Sequence, residues 1–227
     1  MHGKVIVITG ASGALGTVVA NAALARGARV AAIDFAGAAS GATTTDRIEL
    51  GGVDLSDAAQ ALRAVDVAAA HFGRLDALVN IAGGFAFETI ADGDPKTWQR
   101  LYAINVTTAL NASRAAIPHL IASGAGRIVN VGAMAALQAG SGMGAYAASK
   151  AGVHRLTEAL AAELKGKVTV NAVLPTIIDT PANRRDMPKA DFATWVTADE
   201  LANVILFLAS DGASAVTGAL LPVRGRV

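Results

Sequence analysis

The chain has 227 residues, 16% of them charged, with a formal net charge of +1 and a mean hydropathy of +0.45. That length can bury one large core, while a near-neutral balance without runs of Lys or Arg gives no electrostatic hold on nucleic acid or an anionic membrane. Cysteine is absent, which excludes disulfides, thiolate catalysis and Cys-based metal sites; the four histidines, His2, His71, His119 and His154, are too scattered for a metal-ligand pattern. A strand begins within a few residues of Met1 and no apolar run reaches about twenty residues, so a soluble cytoplasmic protein is expected. The low charged fraction also suits a surface buried against copies of the same chain.

In chain order, Val5 to Thr9 is a β-branched run that breaks at Gly10, and Ala14 to Arg26 is an alanine-rich helix stopped by Gly27. Arg29 to Ile33 predicts a second strand ending at Asp34, followed by a small-residue loop from Phe35 to Thr45 and a third strand ahead of Asp54. A helix then runs to Phe72, and Leu75 to Asn80 is an apolar strand stopped by Ala82-Gly83-Gly84. Pro95 can open a helix reaching about Ala122. Arg127 to Val131 predicts a strand, Gly144 to Leu164 a long helix, and Val168 to Leu174 a strand ended by Pro175. After a polar stretch holding Asn183, Arg184, Arg185, Asp186 and Pro188 come a helix near Ala198 to Ala209 and a strand near Leu220. Wholly apolar strands alternating with helices indicate a parallel sheet covered on both faces. The expected fold is α/β: one doubly wound, Rossmann-type domain over residues 1–227, with about seven strands.

Thr9-Gly10-Ala11-Ser12-Gly13-Ala14-Leu15-Gly16 joins the first strand to the first helix. Glycines there allow a tight turn and close approach of a pyrophosphate, which the free N–H groups and dipole of the helix end attract. Asp34 follows about twenty positions later, at the end of the second strand, where a carboxylate can accept from an adenosine ribose diol and repel a 2′-phosphate. With Phe35 rather than a basic residue after it, NADH is favoured over NADPH; the alternative is an Asp that caps a helix or faces solvent.

Tyr146 and Lys150 are four residues apart in a predicted helix and share one face. A nearby ammonium favours the phenolate, lowering a tyrosine from its usual pKa of about 10. A phenol tuned in this way can pass a proton to or from a reacting oxygen or nitrogen.

Together, Thr9-Gly10…Gly16, Asp54-Leu55, Asn80-Ile81-Ala82-Gly83, Asn105, Tyr146…Lys150 and Pro175…Thr180 resemble the short-chain dehydrogenase/reductase family along nearly the whole chain. The resemblance implies an NAD(H)-dependent oxidoreductase that assembles as a homodimer or homotetramer. It implies Tyr146 as the acid/base, Lys150 on the nicotinamide ribose, and Asn105 holding a kink and a relay water in the central helix. Gly10, Ser12, Gly13, Ala14, Leu15 and Gly16 would form the cofactor loop, and Asp54, followed by Leu55, would face the adenine. Asn80, Ala82 and Gly83 would line the cleft, and Pro175 to Ile178 would lie beside the carboxamide.

Three positions depart from the family. Ala14 stands for the loop's middle glycine, Thr176 for a glycine after Pro175, and Ala133 for the catalytic serine thirteen residues before Tyr146. That hydroxyl donates to a substrate carbonyl, and losing such a donor costs on the order of 10²–10³ in rate when the reaction needs it. Ser141, in a Gly-rich turn five residues before Tyr146, could take its place. Otherwise the protein is catalytically weak, or its substrate does without the donor.

A narrower resemblance favours the last of these. Gly132-Ala133, Tyr146 to Lys150, Gly152-Val153-His154, Val173-Leu174-Pro175, Asp179 to Arg184, Met187-Pro188, Ala190-Asp191-Phe192 and Trp195 are similar to the dihydropteridine reductase group, which also has alanine at the serine position and uses NADH. The implied substrate is a quinonoid dihydropterin, a planar acceptor so activated that it has less need of an oxyanion donor. Phe85 departs from that group's usual tryptophan, and Asn105 is the wider family's residue. Phe85 could stack on a flat substrate or simply pack; Met187 and Trp195 could wall a lid or belong to the core; Arg184 and Arg185 could meet an acidic substrate or stay solvated. The leading expectation is an NADH-dependent reductase of a planar conjugated acceptor, with substrate contacts at Phe85, Ala133, Met187 and Trp195. The alternatives are an alcohol/ketone dehydrogenase and a protein that senses NAD(H) without turnover. Joint retention of Tyr146, Lys150 and Asn105 speaks against a sensor.

Overall fold

The computed structural model describes residues 1–37 and 43–226. Its first half runs β1 (Val5–Thr9), α1 (Ala14–Ala25), β2 (Arg29–Ile33), β3 (Arg47–Leu50), α2 (Ala58–Phe72), β4 (Ala77–Asn80) and α3 (Pro95–Tyr102). A π-helical turn, Ala103–Thr107, leads into α4 (Thr108–Ala122), then β5 (Gly126–Val131), α5 (Gly144–Glu163) and β6 (Val168–Pro175). The last elements are β7 (Ile178–Asp179), α6 (Pro181–Asp186), β8 (Val196–Thr197), α7 (Ala198–Leu208) and β9 (Leu220–Val223).

Seven strands form one sheet in the order β3-β2-β1-β4-β5-β6-β9, with every neighbouring pair parallel. Successive residues of a strand face opposite sides, so a strand covered on both faces must be apolar throughout. In β1, Val5 and Val7 enter one core with α2, α4 and α5, while Ile6 and Ile8 enter the other with α1 and α7. The doubly wound α/β fold expected from the alternating pattern is the one formed. Its winding reverses between β1 and β4, and open sheets of this kind bind ligands above the carboxyl ends at that point.

Two local differences separate the structure from the sequence expectations. The helix expected from Pro95 to Ala122 is broken by the π turn, which holds Asn105. The polar stretch after Pro175, given no elements from sequence, carries short ones: β7 pairs with β8, and between them α6 starts at Pro181, capped by the Thr180 side chain. Of the loop expected from Phe35 to Thr45, residues 38–42 lie outside the described residues. Among the described residues no helix is long and apolar enough to cross a membrane, and no group of three His, Asp or Glu could hold a metal ion.

Candidate active site

The loop after β1 is shaped by two glycines without room for a side chain. Gly10 has φ +66°, and a Cβ on it would lie 2.8 Å from the Ala82 nitrogen. Gly16, in the first turn of α1, sits against the Gly10 carbonyl, and its Cβ would lie 2.7 Å from the Ala11 Cα. These contacts draw the start of α1 onto the end of β1. Ser12, Gly13 and Ala14 are exposed there, while Leu15 is buried in the α1–α7 core. No side chain caps α1, which leaves its first N–H groups open to a pyrophosphate. The Thr9 hydroxyl accepts from the Ile81 and Ala82 N–H groups at 3.1 Å each, fixing the turn after β4 above the loop.

Asp34 stands at the rim of this loop, where its carboxylate accepts from the Ser12 N–H and the Ala36 N–H, both at 2.9 Å. Partial burial pushes its pKa up, but hydrogen bonds from Ser12, Ala36 and Phe35 outweigh that and hold it below the usual carboxylate value. Asp34 is therefore an anion at neutral pH, beside the helix end. Asp54 Oδ1 accepts from the Ser56 N–H (2.9 Å) and hydroxyl (2.7 Å). The Leu55 side chain is buried, and its carbonyl accepts from Asn111 Nδ2 at 3.0 Å. Asn80, expected in the cleft, instead spends its amide inside the molecule. Its Nδ2 donates to Ser113 Oγ (3.1 Å) and Asn130 Oδ1 (2.8 Å), and Asn130 donates to Thr157 Oγ1 (2.9 Å). Asn80 thus ties the sheet to α4 and α5, while Ala82 is the part of this segment that meets the loop, at Gly10.

Lys150 and Asn105 converge on the other side of that turn, and Tyr146 lies one helical turn before Lys150 on α5. Lys150 is 6% exposed, and its Nζ donates to the Val131 carbonyl at 2.7 Å. Asn105, 1% exposed, accepts from the Gly84 N–H (2.9 Å) and donates to the Gly84 carbonyl (3.1 Å) and Ser149 Oγ (2.9 Å). Ser149 Oγ donates in turn to the Tyr146 carbonyl at 2.7 Å. Gly83 is wedged between them: a Cβ on it would strike Asn105 Oδ1 and stand 3.7 Å from Lys150 Nζ. The Phe85 ring meets the Tyr146 ring edge-on, with centroids 5.0 Å apart and planes at 76°.

Burial pushes the Tyr146 phenol up to about 12 and Lys150 down to about 8. This reverses the expectation that Lys150 lowers the tyrosine, because desolvation dominates both groups and the ammonium is directed at the Val131 carbonyl. At that value Tyr146 is a neutral acid, suited to giving a proton.

Ala133 is 4% exposed and brings no hydroxyl, whereas Ser141 is exposed in a turn. Beyond Pro175, which is buried, Ile178 is held by pairing with Val196. Arg184 makes a two-pronged contact with Asp179, at 2.6 and 2.7 Å, and lies 4.8 Å over the Phe192 ring. Its charge is therefore answered within the chain, and Arg185 is exposed. Trp195 is 4% exposed with its ring 4.8 Å from Phe192, which fits the core alternative; half-buried Met187 is left as the candidate lid wall. His154 is buried, with Nε2 accepting the Ala133 N–H at 3.3 Å. The signal that could have revealed it is the pairing of Gly132 with a histidine two helical turns past Tyr146.

A doubly wound sheet with a glycine loop at its reversal point, an ionised acid at the end of β2 and a Tyr–Lys helix defines a dinucleotide-dependent oxidoreductase. The family model described as short chain dehydrogenase matches residues 4–191. The chain is 35% identical over 246 residues to 2-(S)-hydroxypropyl-CoM dehydrogenase 3 of Xanthobacter autotrophicus, covering 99% of this chain and 96% of that one. A short-chain type dehydrogenase/reductase from Mycobacterium ulcerans superposes with a TM-score of 0.90 at 26% identity, covering 100% of this chain and 90% of the other. Carveol dehydrogenase from Mycobacterium avium, solved in complex with NAD, gives 0.86 at 30% identity, with 98% and 96% covered. The chain belongs to the short-chain dehydrogenase family of oxidoreductases, and the last of these neighbours binds NAD. The packed glycines and the anionic Asp34 fit that cofactor.

Proposed function

We propose that the protein is an NADH-dependent reductase of a planar, conjugated acceptor such as a quinonoid dihydropterin. The observation that carries this is Ala133, which leaves the site without the hydroxyl that would stabilise charge on a simple carbonyl. A conjugated acceptor that regains aromatic stabilisation on reduction has the least need of that donor. Bound NADH supplies a hydride. Tyr146 donates the proton, Lys150 supplies the local positive charge, and Asn105 holds the Gly84 turn and Ser149 in place around them. Phe85, edge-on to Tyr146, gives a flat substrate an apolar wall. In this scheme Ala133→Ser brings no large gain on simple ketones; a gain approaching the 10²–10³ range of a restored donor overturns it.

Preference for NADH rests on Asp34. Charged hydrogen bonds contribute about 1.5–3 kcal/mol, so Asp34→Ala should weaken NADH by roughly 10- to 150-fold and narrow its margin over NADPH. Fluorescence titration with both cofactors checks this, and unchanged affinities would contradict it.

A second reading is a secondary-alcohol dehydrogenase, favoured by the relatives whose names state hydroxypropyl-CoM and carveol as substrates. It requires Ser141 or a water to serve where Ala133 cannot. We also propose a homodimer or homotetramer built on the long helices, where Trp98 and Tyr102 of α3 are exposed. A light-scattering mass equal to one chain would contradict that assembly.

A further inference from the structure

We propose that His154 is a positioning residue: a neutral imidazole whose Nε2 accepts the Ala133 N–H and so fixes the backbone of the hydroxyl-less position at the end of β5. The inference rests on the site and not on which substrate fills it.

Three consecutive residues at the end of β5 are each held by a separate partner. The Val131 carbonyl accepts from Lys150 Nζ at 2.7 Å, the Gly132 N–H donates to the Val173 carbonyl at 2.9 Å, and the Ala133 N–H donates to His154 Nε2 at 3.3 Å. Lys150 and His154 lie one turn apart on α5 and share a face, so a single helix grips this segment at both ends. The ring also fills the space that a side chain at residue 132 would need. A Cβ on Gly132 would stand 2.5 Å from His154 Nε2, 2.7 Å from its Cδ2 and 3.3 Å from Leu174 Cδ1. Gly132, Ala133 and His154 thus form one interlocked set, next to the lysine that serves the tyrosine.

An imidazole nitrogen that accepts cannot carry a proton, so the ring hydrogen must be on Nδ1. Burial, with Arg155 and Lys150 adding positive charge, takes His154 down to about 4 and keeps it neutral under physiological conditions. The histidine is 2% exposed and has no path to act on substrate itself. Its effect passes through Ala133.

Two substitutions separate positioning from space filling. Gln places an acceptor near the position of Nε2, while Phe fills similar volume without one. His154→Phe should lower kcat by about 10- to 100-fold, the cost of a site displaced by about 1 Å, with the dissociation constant for NADH unchanged. Hydrogen exchange at the Ala133 amide should quicken in the same variant. His154→Gln should recover most of kcat and keep that amide slow. Rates are compared on whichever probe the wild type turns over, quinonoid dihydropterin with NADH or a secondary alcohol with NAD⁺, so failure of the pterin assignment leaves the comparison intact. Nitrogen NMR of the wild type, labelled at histidine, should show Nε2 unprotonated, and this holds even where a variant does not fold. A proton on Nε2, an unchanged kcat in His154→Phe, or equal losses in the Phe and Gln variants would each overturn the proposal.

Discussion

Tyr146→Phe is expected to lower turnover by about 10²- to 10⁴-fold while NADH still binds, because the change removes only the proton that the ring delivers. The phenol is pushed up to about 12 by burial, so across the working pH range it remains a loaded acid. Lys150 is the group that titrates within reach, at about 8. Below that value it carries the charge that supports proton delivery; above it, that charge is lost. The reductive kcat/KM should therefore be level up to about pH 8 and fall beyond it, with no fall on the acid side from either member of the pair. A stopped-flow pH profile reads both the plateau and the limb. Wild-type turnover in Tyr146→Phe, or a rate that climbs through pH 8, would remove the pair from the mechanism.

The second large effect is expected at Gly16. Alanine is the better helix former by about 1 kcal/mol, which alone would make Gly16→Ala stabilising. The added methyl, however, would strike the Gly10 carbonyl and approach the Ala11 Cα to 2.7 Å. These are backbone atoms of the cofactor loop and cannot rotate away, and forced overpacking costs about 1–3 kcal/mol. Relief requires α1 to lift from the end of β1, moving the open N–H groups of its first turn, from Ala14 on, together. Gly16→Ala should lower the melting temperature and weaken NADH by tenfold or more, roughly the equivalent of 1.4 kcal/mol at the helix end. Thermal melts and a fluorescence titration check it; unchanged values in both would show that the loop has slack.

The sheet and the glycine loop were legible because their signals are dense. Val5 to Ile8 is apolar at every position, which only a strand buried on both faces requires, and Gly10 and Gly16 flank a strand-to-helix junction. The π turn at Ala103–Thr107 leaves no mark in the periodicity, since one extra residue in a helical turn hardly disturbs a 3.6-residue period; only the resemblance pointed to a kink at Asn105. Strands of two residues, β7 and β8, are too short to show any alternation. The family resemblance puts Asn80 in the cleft, yet alternation along β4 turns its side chain away, into the network with Ser113 and Asn130. The direction of the Tyr146 shift was misread because helical spacing reports shared faces and says nothing of depth. Burial, visible only in three dimensions, outweighed the neighbouring charge. The role of His154 is hidden for the same reason, its partner being a backbone N–H twenty-one residues away.

The central claim is that Tyr146 protonates an acceptor that does not need a hydroxyl at position 133. Its most direct test is NADH oxidation by the wild-type protein, followed with quinonoid dihydropterin and, separately, with simple ketones. The expected result is turnover with the pterin that is abolished by Tyr146→Phe, and little or none with the ketones. No oxidation with the pterin, together with brisk ketone reduction by the unmodified chain, would contradict it.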